Sequence, residues 1–145
     1  MNRSSKALEF FLESYACSQA VLAVYAEDYK LDLQKGLGLS AGFAGGMACG
    51  KSCGAVTGAI MVLGLHYGNG APETPAGRRN VKWKVREFLQ KFGALHQTTE
   101  CSQLLQVNIS TPEGMKVAQE KNLFRTQCPQ YIVDAVDILE ELLYT

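Results

Sequence analysis

Residues 41–65 read AGFAGGMACGKSCGAVTGAIMVLGL, an apolar segment in which glycine recurs at every fourth position. Residues four apart share one face of an α-helix, so the spacing predicts a strip of bare backbone that another element can approach closely. A glycine inside a helix costs up to about 1 kcal/mol relative to alanine, which favours a geometric need for the strip. That need is either tight helix packing, including a homodimer seam, or room for a cofactor. The repeat consists of Gly42, Gly46, Gly50, Gly54 and Gly58.

The same segment is long enough to cross a bilayer, but its composition argues against membrane insertion. Lys51 stands at its centre and would cost about 3 kcal/mol in the hydrocarbon. At the beginning of the chain, Glu9 and Glu13 interrupt the first apolar run, and no small-residue cleavage site follows it cleanly. We therefore expect a buried core segment in a cytoplasmic protein, where thiols are normally kept reduced.

Residues 45–52, GGMACGKS, satisfy the phosphate-binding pattern of Gly, four residues and Gly-Lys-Ser. A functional loop of this kind connects a buried β-strand to a helix, so that its backbone amides surround the phosphates. The preceding residues 37–44, LGLSAGFA, are rich in glycine and poor in β-branched residues. This context argues against nucleotide binding.

The remaining patterns predict an all-α fold, a compact bundle of about six helices in a single domain over residues 1–145. No stretch alternates apolar and polar residues for long enough to indicate a sheet. The predicted helices cover residues 5–27 and 56–65, a segment from Pro75 after a Thr74 cap, a short segment from Thr98 or Thr99 to Leu105, and segments that start at Pro112 and Cys128.

The charge balance excludes one large class of partner. The chain has 14 basic and 14 acidic side chains, and charged residues make up only 19% of it. Nucleic acid is not an expected partner, because neutralising many phosphates requires an excess of positive charge. The helix that starts at Pro75 has a basic outer face, which we interpret as solvated surface. This face comprises Arg78, Arg79, Lys82 and Arg86.

Five cysteines carry most of the functional signal. Their odd number and the absence of a Cys-x-x-Cys pair argue against a disulfide framework and against haem attachment. Cys53, Cys101 and Cys128 lie at predicted helix starts, where the helix dipole and free amides should lower the thiol pKa and favour the thiolate. The alternative is that the thiols are small buried hydrophobic groups, since free cysteine is among the most buried residue types.

The order and spacing of these cysteines resemble a known family. Residues 53–59, CGAVTGA, match a Cys-Gly-Ala-x-x-Gly signature, and the apolar run IMVLGL follows it. Cys17 upstream, and Cys101 and Cys128 downstream, supply the other cysteines of the pattern. Over residues 15–143 the chain resembles the C_GCAxxG_C_C family of redox-active proteins. It departs from the pattern at Ser52, where the family has glycine, and in its additional thiol, Cys49.

The resemblance implies electron-transfer or thiol redox chemistry and identifies neither a substrate nor the redox partner. We expect four cysteines to converge on one partly buried site as catalytic residues or metal ligands. An iron–sulfur cluster is the first hypothesis, because its common forms need four cysteine ligands. A thiol–disulfide cycle that needs no cofactor is the second. The four are Cys17, Cys53, Cys101 and Cys128.

Neighbouring residues receive supporting roles at the same site. Cys49 is expected as a substitute or fifth ligand and Lys51 as a positive charge that stabilises thiolates or a cluster. Gly54 and Gly58 are expected to permit close backbone approach. Zinc is the third hypothesis, since it is redox-silent and His66 and His96 lack finger-like spacing. A different class of hypothesis is a non-catalytic interaction module, in which the glycine strip forms a homodimer seam and the thiols fill the core.

Overall fold

The computed structural model of the chain describes residues 2–68 and 75–144. Apart from one isolated β-bridge, the ordered secondary structure of these residues is helical, which confirms the all-α class. There are more helical segments than the six expected, because one predicted helix is divided and several short helices are added. They are α1 (Arg3–Leu12), α2 (Cys17–Ala26), α3 (Leu33–Ala41), α4 (Gly54–Tyr67), α5 (Pro75–His96), α6 (Cys101–Leu105), α7 (Pro112–Glu120), α8 (Leu123–Thr126) and α9 (Cys128–Leu143). Thr74, the predicted cap of α5, lies outside the described residues.

The predicted helix over residues 5–27 is in fact two helices. Ser14 adopts a left-handed backbone (φ 77°), and the Tyr15 N–H donates to the carbonyl oxygen of Phe10 at 3.2 Å. This six-to-one hydrogen bond ends α1 in a Schellman arrangement, and the rings of Phe10 and Tyr15 pack across it. Serine occupies the position where glycine usually marks such an ending. Cys17 consequently becomes the first residue of α2 instead of an interior one.

The glycine-rich segment is not one continuous helix, so the expected continuous strip is wrong. A tight turn over Gly46–Gly50 separates α3 from α4. Gly45 and Gly46 (both φ 63°) and Gly50 (φ 73°) adopt left-handed conformations that glycine tolerates best. Gly50 follows Gly46 by four residues and Gly45 by five, so this part of the glycine spacing reflects the requirements of a turn as well as those of a helix.

Two glycines of the repeat do serve tight helix packing, between α2 and α4. A Cβ atom at Gly58 would lie 2.8 Å from the carbonyl oxygen of Ser18 and 3.2 Å from the Cβ of Val21. A Cβ atom at Gly54 would overlap the sulfur of Cys17. Both positions therefore face another helix of the same chain.

Apolar residues of α2, α4, α5 and α9 form most of a large hydrophobic core, which we call the main cluster. Residues that recur at helical spacing along α9 form an apolar stripe buried in it, namely Ile132, Ala135, Val136, Leu139 and Leu143. A smaller group, the second cluster, contains the buried residues Cys101, Leu105, Ile109 and Ala118. None of the helices in residues 2–68 and 75–144 combines the length and apolarity needed to cross a lipid bilayer.

The contact between α2 and α4 predicts opposite effects for two glycines of one helix. Gly58→Ala should destabilise the protein by about 1–3 kcal/mol, because the new methyl group must displace the backbone of α2. Gly64→Ala is the matched control: a Cβ atom there meets nothing within 4 Å, so it should stabilise α4 by up to about 1 kcal/mol. Urea unfolding of both variants measures the difference. Equal stabilisation by the two substitutions would contradict the packing.

Candidate functional site

The four cysteines expected to converge do line one small cavity, of about 30 Å³. We call it the four-cysteine cavity. Cys53 and Cys101 are buried, Cys17 and Cys128 are half-buried, and all four thiols are free. The rest of the wall is almost entirely apolar. It consists of Gly45, Gly54, Leu104, Leu105, Phe124 and Tyr131.

Each of these cysteines lies at the beginning of a different helix. Cys17, Cys101 and Cys128 are the first residues of α2, α6 and α9, and Cys53 immediately precedes α4. Four helices thus begin around one point, although they are far apart in the chain. The predicted helix starts at Cys53, Cys101 and Cys128 are confirmed, and Cys17 joins them because of the break after α1.

Hydrogen bonds to α3 position Cys17. The Ser18 hydroxyl is fully buried and donates to the carbonyl oxygen of Ser40 at 2.8 Å. The side-chain amide of Gln19 donates to the carbonyl oxygen of Leu37 at 2.9 Å and accepts from the Ala16 N–H. The beginning of α2 is therefore bound to the end of α3, and the sulfur of Cys17 is held against Gly54.

A short backbone pairing brings Cys53 and Cys101 together. The Cys53 N–H donates to the carbonyl oxygen of Thr99 at 2.8 Å, and the Cys101 N–H donates to that of Lys51 at 2.6 Å. Ser52 and Glu100 face each other in the antiparallel bridge between these two bonds. Because both N–H groups belong to cysteines, the pairing fixes the entry of α4 and of α6 at the cavity.

Tyr131 was not identified from the sequence. Among the described residues it is the only side chain in the wall, apart from the thiols, that carries a polar group. Its hydroxyl donates to the carbonyl oxygen of Leu104 in α6 at 3.0 Å. Tyr131 follows Cys128 by three residues in α9, so both lie on one face of that helix. This three-residue spacing from Cys128 was the feature of the sequence that could have indicated Tyr131.

Burial raises the pKa of all four thiols, which corrects the expectation of lowered values. Burial raises the pKa of Cys101 to about 11 and that of Cys128 to about 12, and proximity to Cys17 adds to both. The pKa values of Cys17 and Cys53 are also raised, again chiefly by burial. Backbone amides of Ser18, Gly45 and Ala55 oppose the rise at Cys17 without overcoming it. Helix position is a weaker influence here than removal from water.

Mutual repulsion is the second consequence of this arrangement. A negative charge on Cys17 would raise the pKa of Cys53, Cys101 and Cys128, since each of these thiols lies close to it. Four thiolates therefore cannot form together in this apolar wall unless positive charge compensates them. At neutral pH the free site holds neutral thiols.

Several other predicted site residues lie away from the cavity wall. The Cys49 sulfur contacts the carbonyl oxygen of Gly46 at 3.5 Å, and the Lys51 side chain is exposed. Lys51 contributes to the site through its main-chain groups. They also explain why residue 46 is glycine, because a Cβ atom there would lie 2.6 Å from the carbonyl oxygen of Lys51. Gly54 lines the cavity, whereas Gly58 packs on α2 one turn further along.

Both histidines have partners elsewhere. The Nδ1 atom of His66 lies 2.8 Å from the Tyr29 hydroxyl, and the Nε2 atom of His96 lies 2.7 Å from a carboxylate oxygen of Asp134. In the part of the chain that the structure describes, no three His, Cys, Asp or Glu side chains are arranged to hold one metal ion. A cluster would thus require the four sulfurs to rearrange around it.

The phosphate-binding pattern over residues 45–52 lacks its structural context. Helix α3 precedes it where a nucleotide-binding loop has a buried strand. Met47 and Ala48 adopt left-handed backbone conformations within the turn, and Gly50 is pressed against the Ser102 side chain. The turn is shaped by contacts with α6 and supports no nucleotide site.

The sequence that carries the four cysteines matches a known protein family. A family model described as "Putative redox-active protein (C_GCAxxG_C_C)" matches residues 15–142, nearly the entire chain. The protein belongs to the C_GCAxxG_C_C family. No curated protein and no solved structure matches the chain. Family membership therefore supports a redox role for this protein and leaves its cofactor and substrate to chemical argument.

The raised thiol pKa values predict how stability depends on pH. In the unfolded chain the thiols ionise near pH 8.5, whereas in the fold those of Cys101 and Cys128 stay protonated to about 11 and 12. Their contribution is complete below the unfolded value and is lost as the pH rises towards the folded one. Between pH 8.5 and 10, the reduced, metal-free protein should lose up to about 1.4 kcal/mol per pH unit for each buried thiol.

Urea unfolding at a series of pH values under reducing conditions measures this slope. Cys128→Ala should reduce the slope of the free energy of unfolding against pH by the contribution of one thiol, although the variant is less stable at every pH. A slope identical to that of the unsubstituted protein would show that Cys128 ionises equally in both states.

Proposed function

We propose that this protein transfers electrons through an iron–sulfur cluster held by Cys17, Cys53, Cys101 and Cys128. The observation that carries the proposal is the meeting of four thiols from four helices at one apolar cavity. Common clusters need four cysteine ligands, which is the number available in the wall. The fifth thiol, Cys49, is not needed.

The donor set suits such a cluster electrostatically. The free thiols resist ionisation because they are buried and repel one another as thiolates, and the positive charge of iron would supply the missing compensation. Backbone amides face two of the sulfurs, those of Ser18, Gly45 and Ala55 at Cys17 and those of Ala55 and Val56 at Cys53. Amides in these positions stabilise charge on ligating sulfur and thereby raise the reduction potential.

The apolar wall would act on the bound group in a second way. Leu104, Leu105 and Phe124 exclude water from the sulfurs, and low exposure to solvent favours the state of lower net charge. When bound, the cluster supplies reversible one-electron transfer. The contributions of the chain are to provide four ligands, to orient amides and to keep water out.

One observation favours a second candidate, a thiol–disulfide cycle. The cavity of about 30 Å³ is small, with room for an occupant the size of a water molecule, and a cluster is larger. Joining two of the sulfurs would require no such space. Two thiols would then form one disulfide and release two protons and two electrons to an external acceptor, and reduction would reverse the step.

Anaerobic purification followed by iron, sulfide and zinc analysis, an optical spectrum and thiol counting distinguishes the candidates. For the cluster we expect iron and acid-labile sulfide in comparable amounts and a visible charge-transfer spectrum. Substitution of each ligand in turn, Cys17, Cys53, Cys101 or Cys128, by serine should remove most of the iron. Cys49→Ser is the matched control and should retain it.

The remaining outcomes are equally informative. Iron-free protein with two fewer free thiols, which a reductant restores, would replace the cluster by the disulfide cycle. Zinc at one ion per chain would favour a structural, redox-silent site. Metal-free protein with five permanently free thiols would overturn both redox candidates and leave the non-catalytic interaction module.

A further inference from the structure

The four-cysteine cavity lies where the two hydrophobic clusters meet. Cys53 belongs to the main cluster, and Cys17 packs against it. Cys101 belongs to the second cluster, and Cys128 packs against that one. The wall therefore contains one pair of cysteines from each cluster, and the backbone pairing of residues 51–53 with residues 99–101 joins Cys53 of one pair to Cys101 of the other.

Tyr131 packs against both clusters. Its hydroxyl donates to the carbonyl oxygen of Leu104, which follows Cys101 by three residues in α6, as Tyr131 follows Cys128 in α9. This hydrogen bond joins the helices of Cys101 and Cys128 about one turn from each sulfur, and the hydroxyl also lies 3.4 Å from the side-chain oxygen of Gln127, within its own part of the chain. Among the described residues that line the cavity, no other side chain carries a hydroxyl or amide group that could replace it.

The ring of Tyr131 is itself held in place from the other side. It meets the His96 ring edge-on, with centroids 4.9 Å apart and planes at 89°. His96 is bound to Asp134 at 2.7 Å, and the side-chain amide of Gln130 donates to the other oxygen of that carboxylate at 2.9 Å. The orientation of Tyr131 is therefore fixed independently of its hydroxyl.

Helix α6 is held at its beginning by the backbone pairing of residues 99–101 with residues 51–53, and one turn later by the Tyr131 hydroxyl at Leu104. It is only five residues long, and Gln97 (φ 69°) before it and Gln106 (φ 59°) at its end adopt left-handed conformations that residues with a Cβ atom rarely take. By contrast, Cys17 is held by Ser18 and α3, and by the close packing of α2 on α4. Cys17 is thus anchored by α3 and α4, whereas Cys101 is anchored by its N–H bond to Lys51 and by the contact of α6 with Tyr131.

We propose that Tyr131 is a positioning residue of the redox site, whose hydroxyl holds α6 against α9 and keeps Cys101 and Cys128 turned into the four-cysteine cavity. Separation of α6 from α9 at this hydrogen bond widens the cavity on that side, so that reagents reach Cys101 and Cys128 more readily than Cys17 and Cys53. The inference rests on the proposed function only in taking these cysteines as the redox site, and it holds for either redox candidate.

Tyr131→Phe tests the proposal, because it removes the hydroxyl and retains the ring. The full chain, reduced and metal-free, is alkylated with N-ethylmaleimide under native conditions, and the modification of each cysteine is followed by peptide mass spectrometry. Loss of one hydrogen bond should raise the rates at Cys101 and Cys128 about fivefold. Cys17 and Cys53 should change much less.

Tyr67→Phe is the matched control, since the Tyr67 hydroxyl also donates to a backbone carbonyl, that of Leu142 at 2.6 Å, but joins α4 to α9 outside the cavity wall. Tyr67→Phe should leave the ratio of the alkylation rates at the two pairs of cysteines unchanged. An equal rise in the alkylation rate at all four cysteines of Tyr131→Phe, or no rise at any of them, would overturn the positioning role. Urea unfolding of the variant shows whether an equal rise comes from lower global stability. The labelling pattern requires no cofactor, so its outcome is independent of whether the purified protein contains iron.

Discussion

The close approach of α2 and α4 is the constraint on which the site depends. At Gly54 and Gly58 the backbone of α4 lies directly against α2, because no side chain on α4 separates the two helices there. This contact places the sulfur of Cys17 directly against Gly54, at the same end of α4 as Cys53. The glycines are therefore a requirement of the thiol geometry, although neither provides a chemical group of its own.

Two opposing influences act on the sulfurs once they are assembled there. Helix N-termini and the amides beside them favour negative charge, whereas burial and neighbouring thiols disfavour it. Burial prevails, and the free site is neutral. The amides beside Cys17 and Cys53 reduce the cost of negative charge on these sulfurs, but they do not make a free thiolate favourable in this site.

The sequence allowed good prediction where the governing interactions are local. The apolar run of α4 and the stripe of α9 follow helical periodicity, and Pro112 and Pro129 mark helix starts. The break at Ser14 was missed because it depends on a left-handed serine in place of glycine, and the turn over Gly46–Gly50 because periodic spacing concealed it. The direction of the thiol pKa shifts was also missed, since burial depends on how distant segments pack.

The convergence of the cysteines came from the family resemblance and not from periodicity, and the structure adds how it is achieved. One pair of segments, residues 51–53 and 99–101, is joined through backbone hydrogen bonds whose donors are the cysteines themselves. Both bonds are made by the neighbours of Ser52, Lys51 and Cys53, so neither of them involves the side chain at position 52, where the chain departs from the family pattern. At Gly46 the opposite holds, because any Cβ atom would strike Lys51 and disturb the carbonyl that receives the Cys101 N–H.

The position of the cavity between two clusters resolves the conflict between its donor set and its size. A site buried within one core could enlarge only by disrupting that core, at a cost shared by every element around it. Between two clusters, enlargement requires movement of the second cluster against the backbone pairing of residues 51–53 with residues 99–101 and the hydroxyl bond of Tyr131. The boundary between the clusters is thus the place where the cavity can widen at the least cost in packing.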